Sequence, residues 1–312
     1  MTVETSESRV ENQHSLRIYA RKLKRHPVFR LWKAPLDTAK RSLPSAWRLA
    51  TQRFRQLPTV VIVGAQKSGT TQLCAYMLRH PRVFAAAKKE VDYFSKQPDR
   101  SVAWYRSRFP LRHRVAARRG HALEASPSYL PMPRALRQMQ SVLPESRVIV
   151  LLRDPVSRAF SHYQHRKTRH LESRSFEEVV DDEISQGKFP PEFGVALRPD
   201  AAPMLDYLAR GYYALQLELL FQLYPRKRVH VIDSADLFAD TSAACQRVFE
   251  FLGLEPFDVR PSKVYNRGYY EEKIDPCVAE RLRQHYRPYD ELLKELLGAS
   301  FRWMADRQPL AA

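Results

Sequence analysis

Cysteine is scarce in this 312-residue chain, and the three present, Cys74, Cys245 and Cys277, are odd in number and widely spaced. With no C-x-x-C pair they offer neither a disulfide framework nor a zinc or redox motif. They read as reduced, mostly packed thiols of a cytoplasmic protein. Long apolar runs are missing too, and no stretch approaches the roughly 20 apolar residues that span a bilayer. The opening MTVETSESRVENQHSLRIYARK has no apolar segment, so a secretory signal is not expected. The ten histidines show no metal-like spacing with Cys, Asp or Glu, so no metal is expected and they read as surface or packing residues. Internal repeats and low-complexity tracts are absent.

Acid is the scarcest commodity relative to its counterpart: 34 Asp and Glu against 52 Lys and Arg, a formal charge of +18. Such an excess implies an anionic partner, which charge alone leaves open among a phosphorylated cofactor, an acidic glycan, nucleic acid and a lipid surface. A content of 44% hydrophobic and 28% charged residues is that of a folded protein. The length suits one large α/β domain with a short appendage.

Half of the excess charge lies in residues 1 to 55, which hold 13 Lys and Arg against 4 acids. Prolines at 27, 35 and 44 limit any helix there to short pieces. This region reads as a basic N-terminal arm, partly helical or flexible, with peripheral membrane or other anionic contact as an alternative role. Residues 56 to 312 form the expected catalytic domain.

The domain opens on Thr59-Val60-Val61-Ile62-Val63, apolar on both faces as in a central parallel strand. That run passes through Gly64-Ala65-Gln66-Lys67-Ser68-Gly69-Thr70-Thr71 into a helical pattern stopped near His80-Pro81. A second buried strand, Val148 to Leu152, ends at Arg153-Asp154-Pro155, and the proline starts a helix through Tyr163. A third strand, Arg228 to Ile232, follows a helix from Tyr213 to Tyr224 whose aromatics read mostly as core. The alternation predicts a doubly wound parallel sheet with helices on both faces. Residues 187 to 204, with four prolines, read as a surface loop or lid, and Pro276 to Leu297 as a closing amphipathic helix.

A helix N-terminus presents unpaired backbone N–H groups and positive potential, so a loop that aims it at an anion binds phosphate. Gly64 and Gly69 let the backbone curl, Lys67 adds charge, and Ser68, Thr70 and Thr71 add hydroxyl donors. The nucleotide-triphosphate loop G-x-x-x-x-G-K-[ST] is not met, because Gly69 is followed by Thr70 and the lysine comes two residues before that glycine. Arg153, at the carboxyl end of a strand with Ser161 two helical turns later, is placed to reach a second phosphate. Chain reversal for the loop and a salt-bridged turn for Arg153-Asp154-Pro155 are the plain alternatives.

With both elements on the page, Gly64 to Thr71 resembles the 5′-phosphosulfate loop of sulfotransferases that use 3′-phosphoadenosine 5′-phosphosulfate (PAPS). Arg153-Asp-Pro-x-x-Arg-Ala-x-Ser161 resembles their 3′-phosphate element. The likeness is strongest to the carbohydrate branch, the sulfotransferase domains that modify heparan sulfate, and it covers nearly all of residues 58 to 303. Lys89-Glu90-Val91-Asp92-Tyr93-Phe94 resembles the branch's acidic catalytic segment, and Glu124-Ala125-Ser126-Pro127-Ser128-Tyr129 a substrate-side loop. Asn266-Arg267-Gly268-Tyr269-Tyr270 resembles the segment that closes over the cofactor.

The resemblance implies in-line displacement at sulfur, with no metal and with release of 3′-phosphoadenosine 5′-phosphate (PAP). It makes Glu90 the base for an acceptor hydroxyl, and Lys67 the stabiliser of charge on the bridging oxygen. Lys67, Ser68, Gly69, Thr70, Thr71, Arg153, Ser161, Arg267, Gly268 and Tyr269 hold the cofactor, while Asp92, Ser126 and Tyr213 face the acceptor. Asp92 stands where that branch usually has His and Ala125 where it has Lys, and a cysteine-bracketed C-terminal insertion is missing, so the acceptor need not be heparan-like. The expectation is an O-sulfotransferase acting on a carbohydrate or glycoconjugate, without nucleic-acid partners. A lipid-linked or natural-product hydroxyl is the alternative acceptor. A non-catalytic basic protein that binds nucleic acid or membrane is the alternative of another class, and for Glu90 the plain reading is a surface carboxylate paired with Lys88 or Lys89.

Overall fold

An apolar run without alternation is stable only where both of its faces are covered, and Val60 to Val63 are fully buried. In the computed structural model, which describes residues 46–185, 207–260 and 272–305, this run is the middle of a five-stranded sheet. The strands are β1 (Val60–Gly64), β2 (Val83–Ala85), β3 (His121–Ala125), β4 (Arg147–Leu152) and β5 (Val229–Asp233). Their order is β2-β3-β1-β4-β5, and every neighbouring pair is parallel.

The covering helices are α1 (Thr70–Met77), α2 (Pro133–Val142), α3 (Pro155–Lys167), α4 (Tyr213–Leu223), α5 (Thr241–Phe251) and α6 (Pro276–Leu297). Val61 and Val63 of β1, with Val148, Val150 and Leu152 of β4, pack against Leu136 and Met139 of α2 and Leu217 and Leu220 of α4. The alternate residues Val60, Ile62, Ile149 and Leu151 are equally buried and face the other way, toward α1 and α5. Those two helices are tied by Gln72 Nε2 donating to Thr241 Oγ1 at 3.3 Å. Each such aliphatic side chain contributes about 1.5–3 kcal/mol, so the sheet is a rigid floor for the loops at its carboxyl edge. A second apolar cluster sets α3 against Phe176, Val179, Tyr207 and Tyr286.

The doubly wound parallel sheet is as expected, and α6 spans the anticipated residues between its cap Asp275, which accepts from Cys277 N and Val278 N, and Gly298 in the left-handed region. Two strands were not anticipated. β2 has only three residues and β3 carries His121 and Glu124 among its five, so neither reads as an apolar run. The packed body also starts earlier than residue 56. Arg48 Nε donates to Ser107 O at 2.8 Å and Arg55 Nη1 to Phe109 O at 2.9 Å, which makes the segment from Trp47 part of the domain. The lid expected at 187 to 204 and the closing segment with Arg267, Gly268 and Tyr269 lie outside the described residues, as do residues 1 to 45.

Candidate active site

β1 and β4 are adjacent and parallel, so their carboxyl ends deliver two loops to one crevice. At the end of β1 the chain passes so close to the turn after β3 that a Cβ on Gly64 would sit 2.5 Å from Leu130 Cβ. Ala65 N donates to Leu151 O at 2.7 Å, which fixes the start of the loop to β4. Gly69 has φ of 90°, a conformation that only glycine adopts without strain, and it delivers the chain into α1. No side chain caps α1, so the amides of its first turn are left for a ligand.

Two anchors hold this loop from outside. Arg153 Nη1 donates to Lys67 O at 3.1 Å, and Ser234 Oγ to Ser68 O at 2.7 Å. The Arg153 carbonyl in turn accepts from Tyr213 OH at 3.0 Å. The two elements that the sequence linked only by analogy are therefore in direct contact. Ser68 is fully buried and its hydroxyl has no partner. A buried hydroxyl left unsatisfied costs stability unless a ligand completes it, so the cradle fits an oxygen-rich anion.

The positive field around the cradle is larger than its one lysine. Ser161 sits on the inner face of α3 with Arg158, His162 and His165, spaced as one helical stripe. Burial and the surrounding charges of Arg158, Arg210, Arg166 and Lys67 push the His162 imidazole far below its ordinary value, and His165 is pushed down to about 4 by burial and by Lys67. Both histidines are neutral near pH 7, and the field that keeps them so favours an anion beside Lys67. The sequence reading treated them as ordinary histidines; their i, i+3, i+4, i+7 spacing with Arg158 was the signal that could have placed them.

Glu90 lies next in sequence to a residue that touches the cradle. Among the described residues it forms no ion pair with Lys88 or Lys89: Lys89 Nζ instead donates to Thr71 Oγ1 of the loop after β1 at 2.7 Å, bringing the Glu90 segment onto that loop. Burial, and next the negative charge of Asp92, raise the Glu90 carboxyl above its usual range. Asp92 has φ of 55° and is held by Ser128 Oγ at 2.7 Å and Lys96 Nζ at 2.8 Å.

The segment's backbone hangs on a carboxylate that the sequence reading assigned no role, Glu124 of β3. Asp92 N donates to Ser126 Oγ at 3.1 Å, and Ser126 Oγ donates to Glu124 Oε1 at 2.9 Å. Phe94 N donates to Tyr129 OH at 3.4 Å, which donates to the same oxygen at 2.6 Å, while Tyr105 OH donates to Oε2. Burial lifts the Glu124 carboxyl to about 7 against the pull of those three hydroxyls. Ser126, expected to face the acceptor, is wholly buried and spends its hydroxyl on this network. Tyr213 is also buried and supports Arg153 instead of lining an open surface.

Residues 57–287 match the sulfotransferase domain family. Human heparan sulfate glucosamine 3-O-sulfotransferase 3A1 is 25% identical over 280 residues, covering 82% of this chain and 64% of that protein. Human bifunctional heparan sulfate N-deacetylase/N-sulfotransferase 3 is also 25% identical, over 285 residues that cover 87% of this chain but 31% of the relative. The chain thus spans under two thirds of either relative's length. A solved sulfotransferase from Alicyclobacillus acidocaldarius superposes with a TM-score of 0.65 at 26% identity, covering 81% of this chain and all of that one. The family match takes in β1 with its loop, the Glu90 segment, β4 with Arg153, and most of α6, and on that breadth the chain belongs to the sulfotransferase domain family.

Proposed function

We propose that this sulfotransferase uses PAPS as donor and a hydroxyl of a carbohydrate or glycoconjugate as acceptor. The observation that carries the reading is the 2.7 Å bond from Lys89 to Thr71, which ties the segment of Glu90 to a cradle whose buried Ser68 hydroxyl awaits an acceptor atom. The loop amides with Lys67, Ser68, Thr70 and Thr71 would hold the 5′ end of the nucleotide, and Arg153 with Ser161 its 3′-phosphate. When bound, PAPS supplies a sulfuryl group on a phosphosulfate linkage, and PAP is left once that group has moved to the acceptor oxygen.

The chain's own residues do the rest. Glu90, its basicity raised by burial and by Asp92, takes the proton of the acceptor hydroxyl. Lys67 places positive charge where negative charge develops on the leaving side. Arg153 couples the two anion sites, since one of its nitrogens already holds the Lys67 carbonyl. The heparan sulfate enzymes among the relatives support a sugar acceptor.

The test is incubation of the full chain with PAPS and a panel of heparan-type oligosaccharides bearing free, acetylated or sulfated amines, with mass spectrometry of the products. Sulfate esters on hydroxyls, lost in Glu90→Gln, are expected. Transfer to the amine would make the protein an N-sulfotransferase, and transfer only to non-sugar hydroxyls would overturn the carbohydrate acceptor.

A further inference from the structure

The segment from Trp47 to Arg55 is folded inside out. Two of its three arginines point inward: Arg48 reaches the carbonyls of Ser107 and Phe109, and Arg55, almost wholly buried, reaches the carbonyls of Phe109 and Arg48. Its large apolar side chains point outward, with Trp47 58%, Phe54 53% and Leu49 40% exposed. The helix Val102–Arg106 packs on the turn Gln52–Phe54 and adds the exposed Val102. An apolar face left open in this way, while charge is spent holding it in place, marks a surface that meets something apolar.

The charge around the face identifies the partner. The guanidinium of Arg53 lies 4.6 Å from the Phe54 ring centroid and that of Arg55 4.6 Å from Trp47. The bridge between Arg55 and Leu111 brings the helix Arg112–Ala116 alongside, with Arg112, His113 and Arg114 exposed. No acid occurs between Asp37 and Glu90, nor between Asp99 and Glu124. A second copy of the chain on this face would set these arginines against their own kind. Trp and Phe at headgroup depth with arginines over anionic phosphates are the combination a bilayer interface accepts. Among the described residues no helix is long and apolar enough to cross a membrane.

We propose that the face formed by Trp47, Leu49, Phe54 and Val102, rimmed by Arg53, Arg112 and Arg114, docks on an anionic lipid bilayer. The face shares the 107 to 109 strip with the catalytic segment, because Ala87 N, three residues before Glu90, donates to Arg108 O at 2.7 Å. Docking therefore takes place one chain segment away from the carboxylate side of the site. The proposal stands independently of the acceptor assigned above.

The experiment is co-sedimentation of the full chain with phosphatidylcholine vesicles, with and without phosphatidylglycerol. Wild type is compared with the Trp47→Ser/Phe54→Ser double variant and with Arg112→Glu/Arg114→Glu. Calorimetric PAP binding serves as the check that each variant is folded. Wild type is expected to bind the anionic vesicles, and each double variant about tenfold or more weakly, with PAP affinity unchanged. Residues 1 to 45 are present in every protein, so the loss belongs to the face. Equal binding of the Trp47/Phe54 variant and wild type, no binding by wild type, or equal binding to neutral vesicles would overturn the proposal. So would a wild-type dimer that the Trp47/Phe54 substitutions convert to monomer, since a second copy would then be the occupant.

Discussion

The anion cradle is one uninterrupted stretch, residues 64 to 71, shaped by its own backbone and pinned by side-chain hydrogen bonds from Arg153, Ser234 and Lys89. The carboxylate side is assembled from three separate stretches, around Glu90, Tyr105 and Glu124 to Tyr129, that meet through buried hydroxyls. Binding an anion needs amides and a cation in the right curve, which a short peptide supplies locally. Holding a base needs a rigid support with few degrees of freedom. Here that support is a buried carboxylate that fixes two backbone N–H groups through two hydroxyls.

If the two sides divide labour in this way, substitutions should separate binding from transfer. The largest effect is expected at Glu90→Gln, with transfer falling about 10³-fold while PAP affinity stays within about twofold. A parallel loss of PAP affinity in calorimetry would break the division. Next, Lys67→Ala should lower transfer about 10²-fold and also weaken PAP about tenfold, because Lys67 serves both sides. Steady-state rates together with calorimetry read both.

Glu124→Gln should lower transfer about tenfold with PAP binding unchanged, by loosening the Glu90 segment without touching the cradle. It carries a second signature. Burial raises Glu124 from 4.5 to about 7, so between those values the folded state keeps a proton that the unfolded chain has released. Stability should therefore decline as pH rises from about 4.5 to about 7, by up to about 3 kcal/mol, and level off above. Urea midpoints across that range should show the decline in wild type and a flatter profile in Glu124→Gln. The smallest effect is expected at Ser234→Ala, which removes one anchor of the loop and should weaken PAP about threefold, leaving turnover at saturating donor intact.

The same contrast explains what could be read from the sequence. β1, the glycine-containing loop after it, Arg153 at the end of β4 and α6 were all legible, because each is a contiguous pattern of burial period, glycine placement or capping. Glu124 was not, since nothing in its neighbourhood announces that Tyr105, Ser126 and Tyr129 will converge on it. For the same reason Ser126 and Tyr213 were placed toward the acceptor. Their loops were recognised, but only packing decides which way a side chain turns. The outward Trp47 and inward Arg48 defy the ordinary rule that apolar residues go in and arginines out, so residues 47 to 55 read as part of the basic arm when they pack with the domain.

The central claim is that the loop after β1 and Arg153 after β4 together form a site for a 3′-phosphorylated adenine nucleotide. Calorimetric titration of PAP and of ATP into wild type, Lys67→Ala and Arg153→Ala at moderate salt tests it most directly. Tighter binding of PAP than ATP by wild type, weakened in both variants, is the predicted result. Equal affinity for the two nucleotides, or PAP binding untouched by either substitution, would contradict it.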